Sequence, residues 1–121
     1  MAVKDESTVA RGRKAEQLTA QWYAEQGAQV LCMNYRIRGG EIDLIVRDEG
    51  CIAFVEVKMR ASNTYGTPAE AVTPAKRRLI CRAALRYAQE NGLMDEYMRF
   101  DVAGVYDGHV SVYKNAFDFV E

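Results

Sequence analysis

The 121-residue chain has one histidine, three cysteines and no long hydrophobic run. Each shortage closes off a class of function. A membrane-spanning helix needs about 20 consecutive apolar residues, and no stretch here approaches that. Met1 to Glu6 is polar and partly acidic, so no signal-peptide core is expected. Cys32, Cys51 and Cys81 are an odd number without metal-ligand spacing. They read as buried free thiols in a reducing cytoplasm. The lone His109 follows an Asp-Gly turn, where exposure rather than catalysis is expected. Repeats, low-complexity segments and an evident linker are also missing. One domain over residues 1–121 is therefore expected, with residues 1–8 as a flexible tail.

The chain also lacks an excess of either charge. The net charge is −1, unlike the strongly basic total of many nucleic-acid-binding domains. The distribution is less even than the sum. Basic residues gather at Arg11-Gly12-Arg13-Lys14, Arg36 and Arg38, Lys58-Met59-Arg60, and Lys76-Arg77-Arg78. Acidic residues gather at Asp5-Glu6, Asp48-Glu49, Asp95-Glu96 and the C-terminus.

What is present centres on one hairpin. Gly40 to Arg47 and Cys51 to Lys58 read as two strands around a turn at Asp48-Glu49-Gly50. Most of their residues are apolar or β-branched, as buried strands require. Asp43, Glu56 and Lys58 interrupt that pattern, and buried charges are costly unless paired or bound to a metal. Alternation puts Glu56 and Lys58 on one face. A two-residue loop at Glu49-Gly50 would set Asp48 opposite Cys51 and Asp43 opposite Glu56. The two carboxylates would then stand about 5 Å apart at Cβ. Their repulsion calls for a cation between them, either a hard divalent metal or the Lys58 ammonium.

The remaining elements frame this hairpin. A helix is expected from about Ser7 to Gln26, with Ala15, Leu18 and Trp22 as its apolar stripe. Gly12 in its front half suggests close approach to another backbone, and Glu16, between the apolar positions, faces either the sheet or solvent, with solvent the expectation. Gln29 to Arg36 reads as a strand. Gly39-Gly40 permits positive φ and close backbone approach. Arg60 to Thr73 forms a loop, a candidate substrate-contacting flap with a helical turn near Ala69 to Val72. Thr73-Pro74 caps a second helix, which runs to about Asn91. Its core face is expected to be Ala75, Leu79, Ile80, Ala83, Ala84, Tyr87 and Ala88. Arg78, Arg82 and Arg86 form a stripe that is either a solvated face or a phosphate contact. Tyr97 to Tyr106 and the return after Asp107-Gly108 are strands, followed by an aromatic tail from Asn115. Asp101 repeats the buried-charge problem, with Arg99 as its expected partner. The predicted fold is α/β, a mixed sheet flanked by helices in the order α-β-β-β-α-β-β.

Asp, then Glu-x-Lys thirteen residues later from acid to acid, suits phosphodiester hydrolysis. Two carboxylates can hold Mg²⁺, and a lysine beside them can orient water or stabilise developing charge. Asp43 … Glu56-Val57-Lys58, behind a helix carrying Glu16, resembles the PD-(D/E)XK nuclease signature on a restriction-endonuclease-like fold. Within that superfamily the chain is most similar to the YraN family of bacterial proteins, which are related to archaeal Holliday-junction resolvases. The resemblance rests on Gly12-Arg13-Lys14-Ala15-Glu16, Asn34-Tyr35-Arg36, Gly39 to Ile45, Phe54 to Lys58, Thr73 to Arg78, and Arg99 to Val102.

The resemblance implies that Asp43, Glu56 and Glu16 are metal ligands, for Mg²⁺ or Mn²⁺. It implies Lys58 as catalytic base or charge stabiliser, and Lys76 as a polar helper. Arg13, Lys14, Arg36, Arg38, Arg60, Lys76 and Arg78 are the candidate nucleic-acid contacts. DNA is the expected partner, and cutting two strands in matching positions would favour a homodimer. Ile42 stands where many superfamily members have proline. Two further readings compete with a nuclease: a catalytically silent nucleic-acid-binding module of the same fold, and an interaction protein whose charges satisfy one another.

Overall fold

The β-branched runs build a five-stranded sheet in the spatial order β1-β2-β3-β4-β5. The computed structural model describes residues 8–60 and 68–121. Its strands are β1 (Gln29–Ile37), β2 (Gly40–Asp48), β3 (Cys51–Met59), β4 (Tyr97–Tyr106) and β5 (His109–Phe117). Helix α1 is Thr8–Glu25 and helix α2 is Pro74–Glu90, with a 3₁₀ turn at Pro68–Ala71. The expected tail up to residue 7 and half of the expected flap lie outside the described residues. The sheet is antiparallel except between β3 and β4. That parallel pair needs a crossover, which α2 supplies. The result is the α/β, restriction-endonuclease-like architecture.

The two faces of the sheet bury separate clusters. Ile45, Ile52, Phe54, Phe100 and Val102 pack with Ile80, Ala84 and Tyr87 of α2. Leu44, Val46, Ala53, Val55 and Ala103 pack with Tyr23 of α1. Fully burying each large aliphatic side chain contributes about 1.5–3 kcal/mol, so this sandwich holds β3 rigidly at its centre. Thr73 caps α2, its hydroxyl accepting from the Lys76 N–H at 3.2 Å. The tail begins inside the sheet: Phe117 ends β5 and stacks on Phe100 at 5.1 Å.

Several expectations need correcting. The buried stripe of α1 is Ala15, Thr19 and Tyr23, not Ala15, Leu18 and Trp22. Polar tips disguised it. The Thr19 hydroxyl donates to the Ala15 carbonyl at 2.8 Å, and the Tyr23 hydroxyl to Asp101 at 2.6 Å. On α2, Ala75 and Leu79 are exposed and Cys81 joins the core. Of the three thiols, all free, only Cys81 is buried. Among the described residues Gly12 has no close neighbour: a Cβ there would meet nothing within 4 Å.

Gly40 does fit the close approach expected of it. A Cβ at Gly40 would stand 2.7 Å from the Leu79 carbonyl oxygen. The bare backbone lets β2 lie against α2. Gly40→Ala is expected to push the two apart and destabilise the fold by about 1–3 kcal/mol. Urea denaturation checks this; a loss near zero would mean that β2 yields freely there.

Candidate active site

The hairpin turn is the two-residue loop Glu49-Gly50, both residues at positive φ (53° and 77°). It sets Asp48 opposite Cys51, and the ladder runs up to Leu44 opposite Val55. Beyond that point β2 leaves β3. The Asp43 carboxylate, not a backbone carbonyl, accepts the Val57 N–H at 2.8 Å. Alternation along β2 breaks at the same place, since Ile42 and Ile45 both face α2 while Leu44 faces α1. On the neighbouring β1, Asn34 takes φ 56°, a conformation asparagine tolerates better than most residues. The opening between β2 and β3 lets groups from both faces of the sheet meet.

Glu56, on the central strand, reaches this opening from the α2 face and is only 4% exposed. One of its oxygens, Oε2, lies 3.5 Å from the Lys58 ammonium and 3.8 Å from Lys76. The other, Oε1, is buried without a hydrogen-bond partner among the described residues. Burial, and next the Asp43 charge, push the Glu56 carboxyl up to about 7 against the pull of Lys76 and Lys58. Glu16 comes from α1. Burial and the Asp43 charge raise its pKa too, while the Asn34 side chain pulls it down by hydrogen bonding. Glu16 is half-buried beside Asn34 and Asp43 rather than turned fully to solvent, which corrects that expectation. The Asp43 charge acts on both glutamates, so the three acids form a row with Asp43 in the middle.

As placed, no group of three or more His, Cys, Asp or Glu side chains among the described residues is gathered closely enough to hold a metal ion. The donor set still has the character of a hard-cation site: carboxylate oxygens, one of them buried and unpartnered. Its residues fit a divalent metal on chemistry, and closing the row around an ion would require these side chains to move together.

The basic candidates divide. Lys76 and Arg36 line one cavity with Glu41, and Arg36 holds Glu41 at 3.5 Å. Arg13 and Arg36 line another with Glu16 and Asn34. Lys14 and Arg60 border a third, on the other flank of α1. Arg38 and Arg78 are exposed, and among the described residues no hydrogen bond or ion pair joins them to the acids. Of the α2 stripe, Arg86 is held by Glu90 at 2.9 Å, and Tyr35 donates to that glutamate at 2.6 Å. Asn34 was not singled out among the candidates, although an asparagine inside a strand pattern is the available signal for a left-handed residue.

Arg99 and Asp101 belong to a separate buried network. Arg99 bridges Asp101 and Asp48, Lys114 reaches Asp48 at 2.9 Å, and the Asn115 N–H donates to Asp101 at 2.9 Å. Burial works against the Arg99 charge, but hydrogen bonds to Asp101 and Asp48 outweigh it and raise its pKa. This network is structural: it ties the β2–β3 turn to β4, β5 and α1.

The raised Glu56 pKa has a consequence for stability. Between pH 4.5 and about 7 the folded chain holds a proton that the unfolded chain has released. Its contribution is fully present below that window and is lost as pH rises through 7. In EDTA, the melting temperature of Glu56→Gln is therefore expected to gain on that of the wild type between pH 5 and 8. A difference that stays flat with pH would mean that Glu56 titrates normally.

The chain is similar to a family of proteins over most of its length. Residues 15–105 match the model of "Uncharacterised protein family UPF0102". A UPF0102 protein of Desulfosudis oleivorans is 42% identical over 109 residues, 88% of this chain and 89% of that one. One from Chlorobium chlorochromatii is 48% identical over 99 residues, 82% and 76% of the two chains. One from Symbiobacterium thermophilum is 44% identical over 97 residues, 80% and 82%. With the family model spanning most of its length and relatives above 40% identity, this chain belongs to the UPF0102 family, also called the YraN family.

Proposed function

We propose that this protein is a metal-dependent endonuclease that hydrolyses phosphodiester bonds in DNA, with branched DNA as the favoured substrate. One observation carries the reading: the buried, unpartnered Oε1 of Glu56 at an opening that Asp43 and Lys58 also border. An unsatisfied buried carboxylate oxygen costs about 1–3 kcal/mol or more, a cost that makes sense where an ion is to be held. Asp43, Glu56 and Glu16 would hold Mg²⁺ or Mn²⁺. When bound, the ion would polarise the scissile phosphate and favour hydroxide at neutral pH.

The chain's own groups supply the rest. Lys58, 31% exposed at its side chain, can orient the attacking water and balance charge developing on the phosphate. Lys76, from the first turn of α2, adds a second positive charge to the same carboxylate. Arg13 and Arg36 flank the approach past Glu16. Matched cuts in a junction would require two copies related by a two-fold axis.

The test is incubation with four-way-junction, flap and linear DNA in Mg²⁺, Mn²⁺ or EDTA. Metal-dependent cleavage that prefers the junction is the expected result. Binding without cleavage in every metal would favour a silent nucleic-acid-binding module instead. The observation on that side is that both lysines already neutralise Glu56 Oε2.

A further inference from the structure

Gly12 stands in the front half of an 18-residue helix, where glycine weakens the helix relative to alanine. None of the usual structural reasons for a glycine applies. Its φ is not in the left-handed region, and a Cβ would meet nothing within 4 Å among the described residues. The position borders a cavity of about 470 Å³ shared with Arg13, Glu16, Asn34 and Arg36. On the other flank of α1, Arg11, Lys14 and Arg60 border a larger cavity of about 660 Å³. Glycine thus leaves bare backbone between two cationic hollows, one turn of helix before Glu16.

We infer that a nucleic-acid backbone crosses α1 at Gly12 on its way to the acids. This deepens the nuclease reading and rests on it. The sugar-phosphate chain lies in van der Waals contact with the helix backbone there. Arg13 and Arg36 hold phosphates on the side nearer Glu16, and Arg11 and Lys14 hold them on the far side. Gly12 is a positioning residue: its missing side chain sets how closely the strand approaches, and so whether the scissile phosphate reaches Asp43 and Glu56. The acidic neighbours do not close the route. Glu41 is paired with Arg36, Asp107 borders the far hollow but is outnumbered there by Arg11, Lys14 and Arg60, and Glu16 belongs to the acid row itself.

Gly12→Ala separates this role from a structural one, because the two predict opposite signs. Helix propensity makes the variant melt about 3–6 °C higher than wild type. Steric filling makes it bind nucleic acid roughly tenfold more weakly. Binding is read by fluorescence anisotropy in EDTA, so that no cleavage intervenes, with a labelled four-way DNA junction and a labelled linear duplex. Gln17→Ala, an exposed position on the same helix, should bind as wild type does. Higher melting with weaker binding supports the crossing. Higher melting with unchanged binding overturns it and leaves the nuclease reading standing. Wild-type protein that binds neither DNA overturns both.

Discussion

Replacing Glu56 by glutamine is expected to abolish metal-dependent DNA cleavage and, in EDTA at pH 8, to make the protein more stable. The two effects share one cause. In the metal-free chain Glu56 is almost fully buried beside the Asp43 carboxylate, with Oε1 unsatisfied. Glutamine keeps the volume and removes the charge. Relief of burial and repulsion should stabilise the fold on the order of 1–3 kcal/mol at that pH. The same loss of charge removes a strong ligand, and cleavage should fall on the order of a thousandfold. Asp43→Ala should lose activity equally without the gain in stability, because the Val57 N–H would lose its acceptor. Lys58→Ala should retain metal binding and lose turnover. Melting curves, isothermal titration with Mn²⁺ and junction cleavage measure the three quantities. Cleavage that survives both acid substitutions would sink the proposed site.

Arg99→Met is expected to cost about 3–5 kcal/mol, one of the largest losses available outside the apolar core. Arg99 is 11% exposed at its side chain, and its partners Asp48 and Asp101 are 3% and 0% exposed. Removing the guanidinium strands two buried carboxylates, and breaking a buried pair from one side is far costlier than never having built it. Lys114 still reaches Asp48, and Tyr23 and Asn115 still donate to Asp101. Those contacts keep the loss finite without replacing the positive charge that Asp101 loses. A fall in melting temperature of more than about 10 °C should result. A loss below about 1 kcal/mol would mean that water enters and screens the network. Since Asp48 anchors the hairpin turn, cleavage should fail at lower temperature in this variant, with wild-type metal affinity while it remains folded.

Local signals were legible to the residue; remote pairings were not. Glu49-Gly50 announced its turn, and the register near it followed. The expected facing of Asp43 and Glu56 came about differently. The ladder ends one pair short, and the acids meet because β2 leaves β3. That departure depends on the Asn34 backbone and on Asp43 capturing the Val57 N–H, neither of which a period-two pattern encodes. Glu16 lay between the expected apolar positions Ala15, Leu18 and Trp22, which left its direction open to sheet or solvent. The true inner face carries Thr19 and Tyr23, whose polar tips find partners only after folding. Arg99 with Asp101 was readable from same-face spacing. Asp48, Lys114 and Tyr23 were not, because they arrive from three other elements.

The left-handed asparagines have a consequence for self-association. Asn34 lies in β1 and Asn115 in β5, the two outer strands, and both have φ near +55°. The register also shifts in β1 near Val30 and opposite β5 near Phe100. Each free edge is therefore kinked, and a kinked edge is a poor template for another strand. Both borders are guarded against growing the sheet into a ribbon from one molecule to the next. Two copies working on one junction would meet through helices or loops and leave their sheets separate.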